Sequence, residues 1–98
     1  MRFEWDEVKN RRNRRKHKIS FENAKLVFDD PEALADRDRE VDDEERWQTA
    51  GVIAGSIIIV VAYTHRVEAG DEVVRIISAR KASPSERRAY GEGNWPLG

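Results

Sequence analysis

Residues 46–80 read RWQTAGVIAGSIIIVVAYTHRVEAGDEVVRIISAR, and this stretch decides the fold. Arg46 to Ile53 alternates moderately between polar and apolar residues. Ser56 to Tyr63 is a nearly continuous β-branched run, and Val73 to Arg80 is β-rich again. Branched side chains fit a pleated surface, so all three segments are expected to be strands. Ala54-Gly55 leaves room only for a hairpin between the first two. Val67 to Glu72, carrying Gly70-Asp71, joins the second to the third. Three adjacent strands on such short links form an antiparallel meander. The middle one, apolar on both faces, belongs at the sheet centre. Period-two counting puts Arg75 on a face with Val73, Ile77 and Ala79, and Arg80 with Val74, Ile76 and Ser78. One of the two arginines therefore points toward the covered side unless a bulge intervenes.

Working outward, Arg2 to Trp5 alternates as a short first strand, and Asp6 is a fitting N-cap for a helix from Glu7 to about Lys16. That helix has Val8 as its only clear apolar residue, so it should lie on the surface, held by few contacts and by arginine stems. Ser20 caps a second helix whose apolar side is Phe21, Ala24, Leu26, Val27 and Phe28, and Asp30-Pro31 stops it. The acidic stretch Asp36 to Glu45 is either an exposed edge strand or a mobile loop. Ser83-Pro84-x-Glu86 is a capping box that opens a last helix ending near Tyr90-Gly91. The expected fold is α+β: a twisted antiparallel sheet of about four to five strands, two N-terminal helices and a C-terminal helix. The helices are expected on one side, with the other face partly open. Residues 1–91 are expected to form a single domain and 92–98 a flexible tail, with Trp95 as a residue that can dock.

At 98 residues the chain is long enough for one core, and 38% of it is charged. The net charge is only −1, but the charge is unevenly spread. Residues 1–18 hold eight Lys and Arg against three acids, and residues 28–45 hold ten acids against two Arg. There is no cysteine, which excludes disulfides, thiol catalysis and Cys-based zinc sites. Two histidines make an imidazole-based metal site improbable. The acidic run Asp36 to Glu45 offers oxygen ligands but lacks the glycine of an EF-hand loop. No phosphate-binding glycine loop or nucleophile elbow is present, so no cofactor is expected. The charged start from Arg2 predicts no signal peptide, and the longest apolar run, Ile57 to Tyr63, is too short to span a membrane. A cytoplasmic protein without a membrane partner is expected.

The run Arg11-Arg12-Asn13-Arg14-Arg15-Lys16-His17-Lys18 is the strongest local signal. It reads as a solvated helix face or as one that meets a polyanion, either RNA or an acidic protein surface. Arg46, His65, Arg66, Arg75 and Arg80 lie in or beside strands. Each alone reads as structural, but together they suggest a cationic floor on an open sheet face. RNA can be cleaved without a metal, because its own 2′-hydroxyl attacks the neighbouring phosphate. The protein then supplies a base, cations for the developing charge and an acid for the leaving oxygen. His17, His65, Glu45 and Tyr90 are the proton-transfer candidates, and arginine suits phosphate through its bidentate fork.

Several motifs resemble the BrnT toxin family. They are Phe3-Glu4-Trp5-Asp6-Glu7-x-Lys9, Asn13-x-x-Lys16-His17-x-Ile19-Ser20-Phe21-Glu22-x-Ala24 and Val27-Phe28-x-Asp30-Pro31. Glu45-Arg46, Tyr63-Thr64-x-Arg66, Arg75-Ile76-Ile77-Ser78-Ala79-Arg80-Lys81-Ala82, Glu86-Arg87 and Tyr90 continue the likeness, which runs from Arg2 to about Tyr90. The Trp47 to Gly51 segment is looser, and His65 stands where many relatives are expected to carry Glu. The resemblance implies a RelE-like fold and a metal-independent endoribonuclease of a type II toxin–antitoxin system, which inhibits translation and growth. It implies neutralisation in a hetero-oligomer by a BrnA-type antitoxin, with promoter DNA reached only through that antitoxin. It also implies functional positions: His17, Glu45, Arg66 and Arg80 as catalytic, the arginines on phosphate and His17 or Glu45 moving the proton. Lys16, Arg46, Thr64, Arg75, Ser78 and Tyr90 follow as RNA-binding positions, and the basic run adds Arg15. A non-catalytic nucleic-acid-binding or protein-interaction module is the rival reading, since fold alone does not set function.

Overall fold

The computed structural model describes residues 1–41 and 44–94, without the side chains of 38–41 and 44. Strand β1 (Arg2–Glu4) leads into helices α1 (Glu7–His17) and α2 (Phe21–Ala24), and a 3-10 turn follows over Lys25–Asp29. Strands β2 (Leu34–Val41), β3 (Glu44–Ile53), β4 (Ile57–Glu68) and β5 (Asp71–Lys81) then precede helix α3 (Pro84–Glu92). The sheet order is β1-β5-β4-β3-β2. The α+β expectation holds, but the sheet and the placement of the helices differ from it. β1 runs parallel to β5 while the other pairs are antiparallel, so the sheet is mixed. The acidic stretch supplies the end of edge strand β2 through Val41 and the start of β3 from Glu44. Residues 42–43 and 95–98, including Trp95, lie outside the described residues.

The β4–β5 link is shorter than the sequence suggests. Glu68 pairs with Asp71, leaving a two-residue turn in which Ala69 and Gly70 both have positive φ. That is the twist a two-residue hairpin favours. The strands overrun the core into solvent here, so their polar ends do not carry an apolar strand pattern.

One face of the sheet is dry. Ile59, Val61, Tyr63, Ile76 and Ala79 pack with Phe21, Ala24 and Val27 from α2 and the 3-10 turn. Phe28 lies 5.0 Å edge-on from Tyr63 and 5.4 Å from Phe3, tying β1 into the same core. Gly51 lets the 3-10 turn approach β3, since a Cβ there would lie 2.4 Å from Val27 Cγ2. Helix α3 packs on the opposite face, at one end, where Tyr90 meets Ala50, Ile58, Val60 and Ala82. The helices are thus divided between the two faces, because the β-branched run of β4 presents Ile58 and Val60 away from α2. Among the described residues no helix is long and apolar enough to cross a membrane.

α1 is anchored by amides rather than by apolar contacts or arginine stems. β1 covers only Val73 to Arg75, so among the described residues the outer edge of β5 beyond them has no strand partner. Asn13 fills that edge, donating to Ala79 O at 2.8 Å and accepting from Ala79 N–H at 3.1 Å. Asn10 accepts from Phe21 N–H at 2.8 Å and donates to Glu22 at 2.8 Å. Both asparagines are buried in a helix that is otherwise largely exposed and charged. Asp6 caps its start, and Lys18 closes its end in the left-handed region.

Candidate functional site

The face not covered by α1 and α2 is built by strand alternation and one irregularity. Tyr63 pairs with Ile76 but Ala62 pairs with Ser78, so Ile77 is an extra residue in β5. This bulge shifts the parity of the strand between Arg75 and Arg80. Arg75 pairs with Thr64, and Arg80 pairs with Val60. Thr64 and Val60 share a face, so both arginines point to the open side. Arg46 pairs with Thr64 from the other flank, and Arg66 and Ser78 alternate onto the same surface.

One row of side chains therefore crosses four strands: Glu4, Arg75, Thr64 and Arg46. At about 4.8 Å per strand it spans about 15 Å. Arg66 lies one step along β4 from this row, and its guanidinium donates to Glu4 Oε1 at 2.7 Å and to Glu68 Oε2 at 2.9 Å. Arg75 approaches the same Glu4 oxygen at 3.6 Å. The Arg66 hydrogen bond, aided by the charges of Arg66 and Arg75, holds the Glu4 carboxyl below its ordinary range despite partial desolvation. Its two carboxylate partners in turn push the Arg66 guanidinium upward. Thr64 is 4% exposed between the arginines. Among the described residues, Arg46 Nε is the buried side-chain polar atom that lacks a hydrogen-bond partner.

Arg80 is held differently. Glu86 takes it in a bidentate pair at 2.7 and 2.9 Å while also accepting from the Ser83 N–H at 2.9 Å. The Arg80 contact, reinforced by the Ser83 cap, lowers the Glu86 carboxyl to about 2. Counted along β4, Arg66 and the Val60 partner of Arg80 are six residues apart. That is about 20 Å between backbones, and each guanidinium turns to its own carboxylates, so the two arginines are not gathered at one point.

The remaining expected positions are dispersed. His17 and Lys16 line a shallow hollow with Lys9, Arg12 and Ser78 at the β5 edge, so the basic helix borders the open face at Ser78. Arg15 is exposed on the same helix. Tyr90 donates its hydroxyl to Asp30 Oδ2 at 2.5 Å, and the desolvated, carboxylate-bound phenol is raised to about 12. Glu45 lies on the opposite face from Arg46, where it accepts from Trp47 at 3.2 Å and from Arg37 at 3.5 Å. Adjacent residues of a strand cannot share a face. His65 is on that far side too, lining a hollow with Ala35, Trp47 and Tyr63. Sequence reasoning gave Glu4, Asn10 and Asn13 no role and read Glu86 only as the capping-box residue, not as the partner of Arg80. The i, i+3 spacing of the two asparagines in a nearly apolar-free helix is the signal that could have found them. Among the described residues no group of three His, Asp or Glu side chains converges as a metal site.

Residues 5–86 match the family described as the ribonuclease toxin BrnT of type II toxin–antitoxin systems. The chain belongs to the BrnT family. The 1.1 Å crystal structure of the Brucella abortus ribonuclease toxin BrnT is similar, with a TM-score of 0.59 and 29% sequence identity. The match covers 85% of this chain and 97% of that one. No curated protein sequence matches the chain significantly. The BrnT family match takes in α1, the whole meander and the capping box, but it begins one residue after Glu4.

Proposed function

We propose that this BrnT-family chain is an endoribonuclease that cleaves RNA on the open sheet face without a metal ion. The observation that carries the reading is the Ile77 bulge, which turns Arg75 and Arg80 onto one face with Arg46, Thr64, Arg66 and Ser78. The 2′-hydroxyl of the substrate attacks its own phosphorus, the P–O5′ bond breaks, and a 2′,3′-cyclic phosphate and a 5′-hydroxyl result. Arg46, Arg66 and Arg75 surround the reacting phosphate and take up the charge that grows on it. Arg80 binds a neighbouring phosphate, and Thr64 and Ser78 hydrogen-bond the backbone. Lys16 and Arg15 continue the phosphate track around the β5 edge. His17, bordering the open face beside Ser78, is the better-placed proton carrier, since the Glu45 carboxylate faces away.

By the same reading the chain acts in the cytoplasm and arrests translation and growth. A BrnA-type antitoxin neutralises it, and that partner alone contacts promoter DNA. Purified protein incubated with end-labelled RNA and excess chelator should yield cyclic-phosphate ends, and Arg46→Ala should slow the reaction 10²- to 10³-fold. Cleavage that needs added magnesium, or RNA binding without cleavage, would overturn the reading. Induced expression should stop growth, and co-expression of the antitoxin should restore it.

A further inference from the structure

We infer that Glu4 accepts the proton of the attacking 2′-hydroxyl, an inference that rests on the ribonuclease reading above. The reaction needs a carboxylate or imidazole beside the arginines that hold the reacting phosphate. Glu45 faces the other side of the sheet, Glu86 is committed to Arg80 and the α3 cap, and Glu68 ends β4 at the exposed turn. Glu4 stands inside the arginine row. Its Oε1 is shared by Arg66 at 2.7 Å and Arg75 at 3.6 Å. Among the described residues its Oε2 has no donor, so one oxygen is left for a substrate hydroxyl.

The placement is rigid for so short a strand. β1 has three residues, each in register with β5, and Phe3 is pinned in the core against Phe28. Glu4 is thereby fixed beside Arg75 by backbone pairing rather than by a flexible stem. Binding couples to basicity as well. A phosphate that draws the Arg66 and Arg75 donors to itself removes them from Glu4, and the freed carboxylate becomes the stronger base. Glu4 takes the hydroxyl proton as the O2′–P bond forms. The P–O5′ bond then breaks, and the O5′ leaves with a proton from water.

Glu4→Gln tests this, because the amide oxygen still accepts from Arg66 and only the basicity is lost. Single-turnover cleavage in chelator should fall at least 10²-fold. Affinity for an RNA carrying a 2′-deoxy sugar at the cut site should stay equal or tighten, since one negative charge is removed. Glu4→Asp, which keeps the base but shortens it, should be intermediate. Cleavage within threefold of wild type in Glu4→Gln would overturn the inference. So would an affinity loss that accounts for the whole rate loss, which would mark Glu4 as a scaffold for Arg66. Failure of the underlying reading looks different. In that case the unaltered protein does not cleave in chelator, or Arg46→Ala and Arg75→Ala cleave as it does.

Discussion

Along β4, Ile59, Val61 and Tyr63 face α2 and the 3-10 turn and are sealed from water. Thr64 and Arg66 on the same strand, with Arg75, Ser78 and Arg80 across the ladder, face a surface where arginines meet carboxylates. The dry face is held by volume and the charged face by geometry. Burial of apolar area stabilises wherever shapes fit. Exposed ion pairs contribute little to folding, so under the proposed function the arginines on the open face serve binding rather than stability. In that reading stability and chemistry share strands while using largely alternate residues.

The separation can be broken most severely at Phe21, which is fully buried. Phe21→Ala should cost about 3–5 kcal/mol and lower the melting midpoint by about 12 °C or more, on the order of 4–8 °C per kcal/mol. Cleavage per folded molecule should be unchanged below the transition. Arg75→Ala is the mirror experiment: transition-state stabilisation should fall by about 2.7–4 kcal/mol while stability moves by about 0.5 kcal/mol or less. A melting midpoint that drops with activity would show that the faces are not independent.

Gly51→Ala should destabilise by about 1–3 kcal/mol, because the new methyl group meets Val27. The Arg80–Glu86 pair bridges the regions and gives a pH signature. Glu86 titrates near 2 when folded, below the ordinary value of 4.5, so it stabilises above that ordinary value and the contribution is lost as pH falls toward 2. Arg80 is 41% exposed, so the contribution is discounted to about 1–2 kcal/mol. Glu86→Gln should flatten the acid limb of stability against pH by that amount. The smallest effect is expected at Lys16→Ala. Melting should barely move, while the salt dependence of RNA binding should lose about one unit of slope.

Much of the dry face was legible, because capping and β-branched runs are local signals. Asp6, Ser20 and Ser83 cap helices where their side chains predict, and the meander follows its short links. The charged face was less so. Ile76-Ile77 offers two apolar residues and no glycine or proline, so nothing local marks the bulge between them. β1 is too short to announce its parallel partner, and the value of Glu4 depends on that pairing. Glu45 and Arg46 resemble the family together, yet alternation separates them across the sheet. α1 lacked an apolar stripe because its contacts are amide hydrogen bonds, which hydrophobic periodicity does not register.

The bulge also ties the length of β5 to its shape. Arg75 and Arg80 are five positions apart, an odd interval that a regular strand would split between faces. Among homologous chains, an arginine pair separated by an even interval can reach the open face on an unbroken ladder. A pair at an odd interval must carry an inserted residue between its members. Indels in this segment should therefore appear together with the loss or gain of the bulge, which makes the interval a parity check for aligning distant relatives.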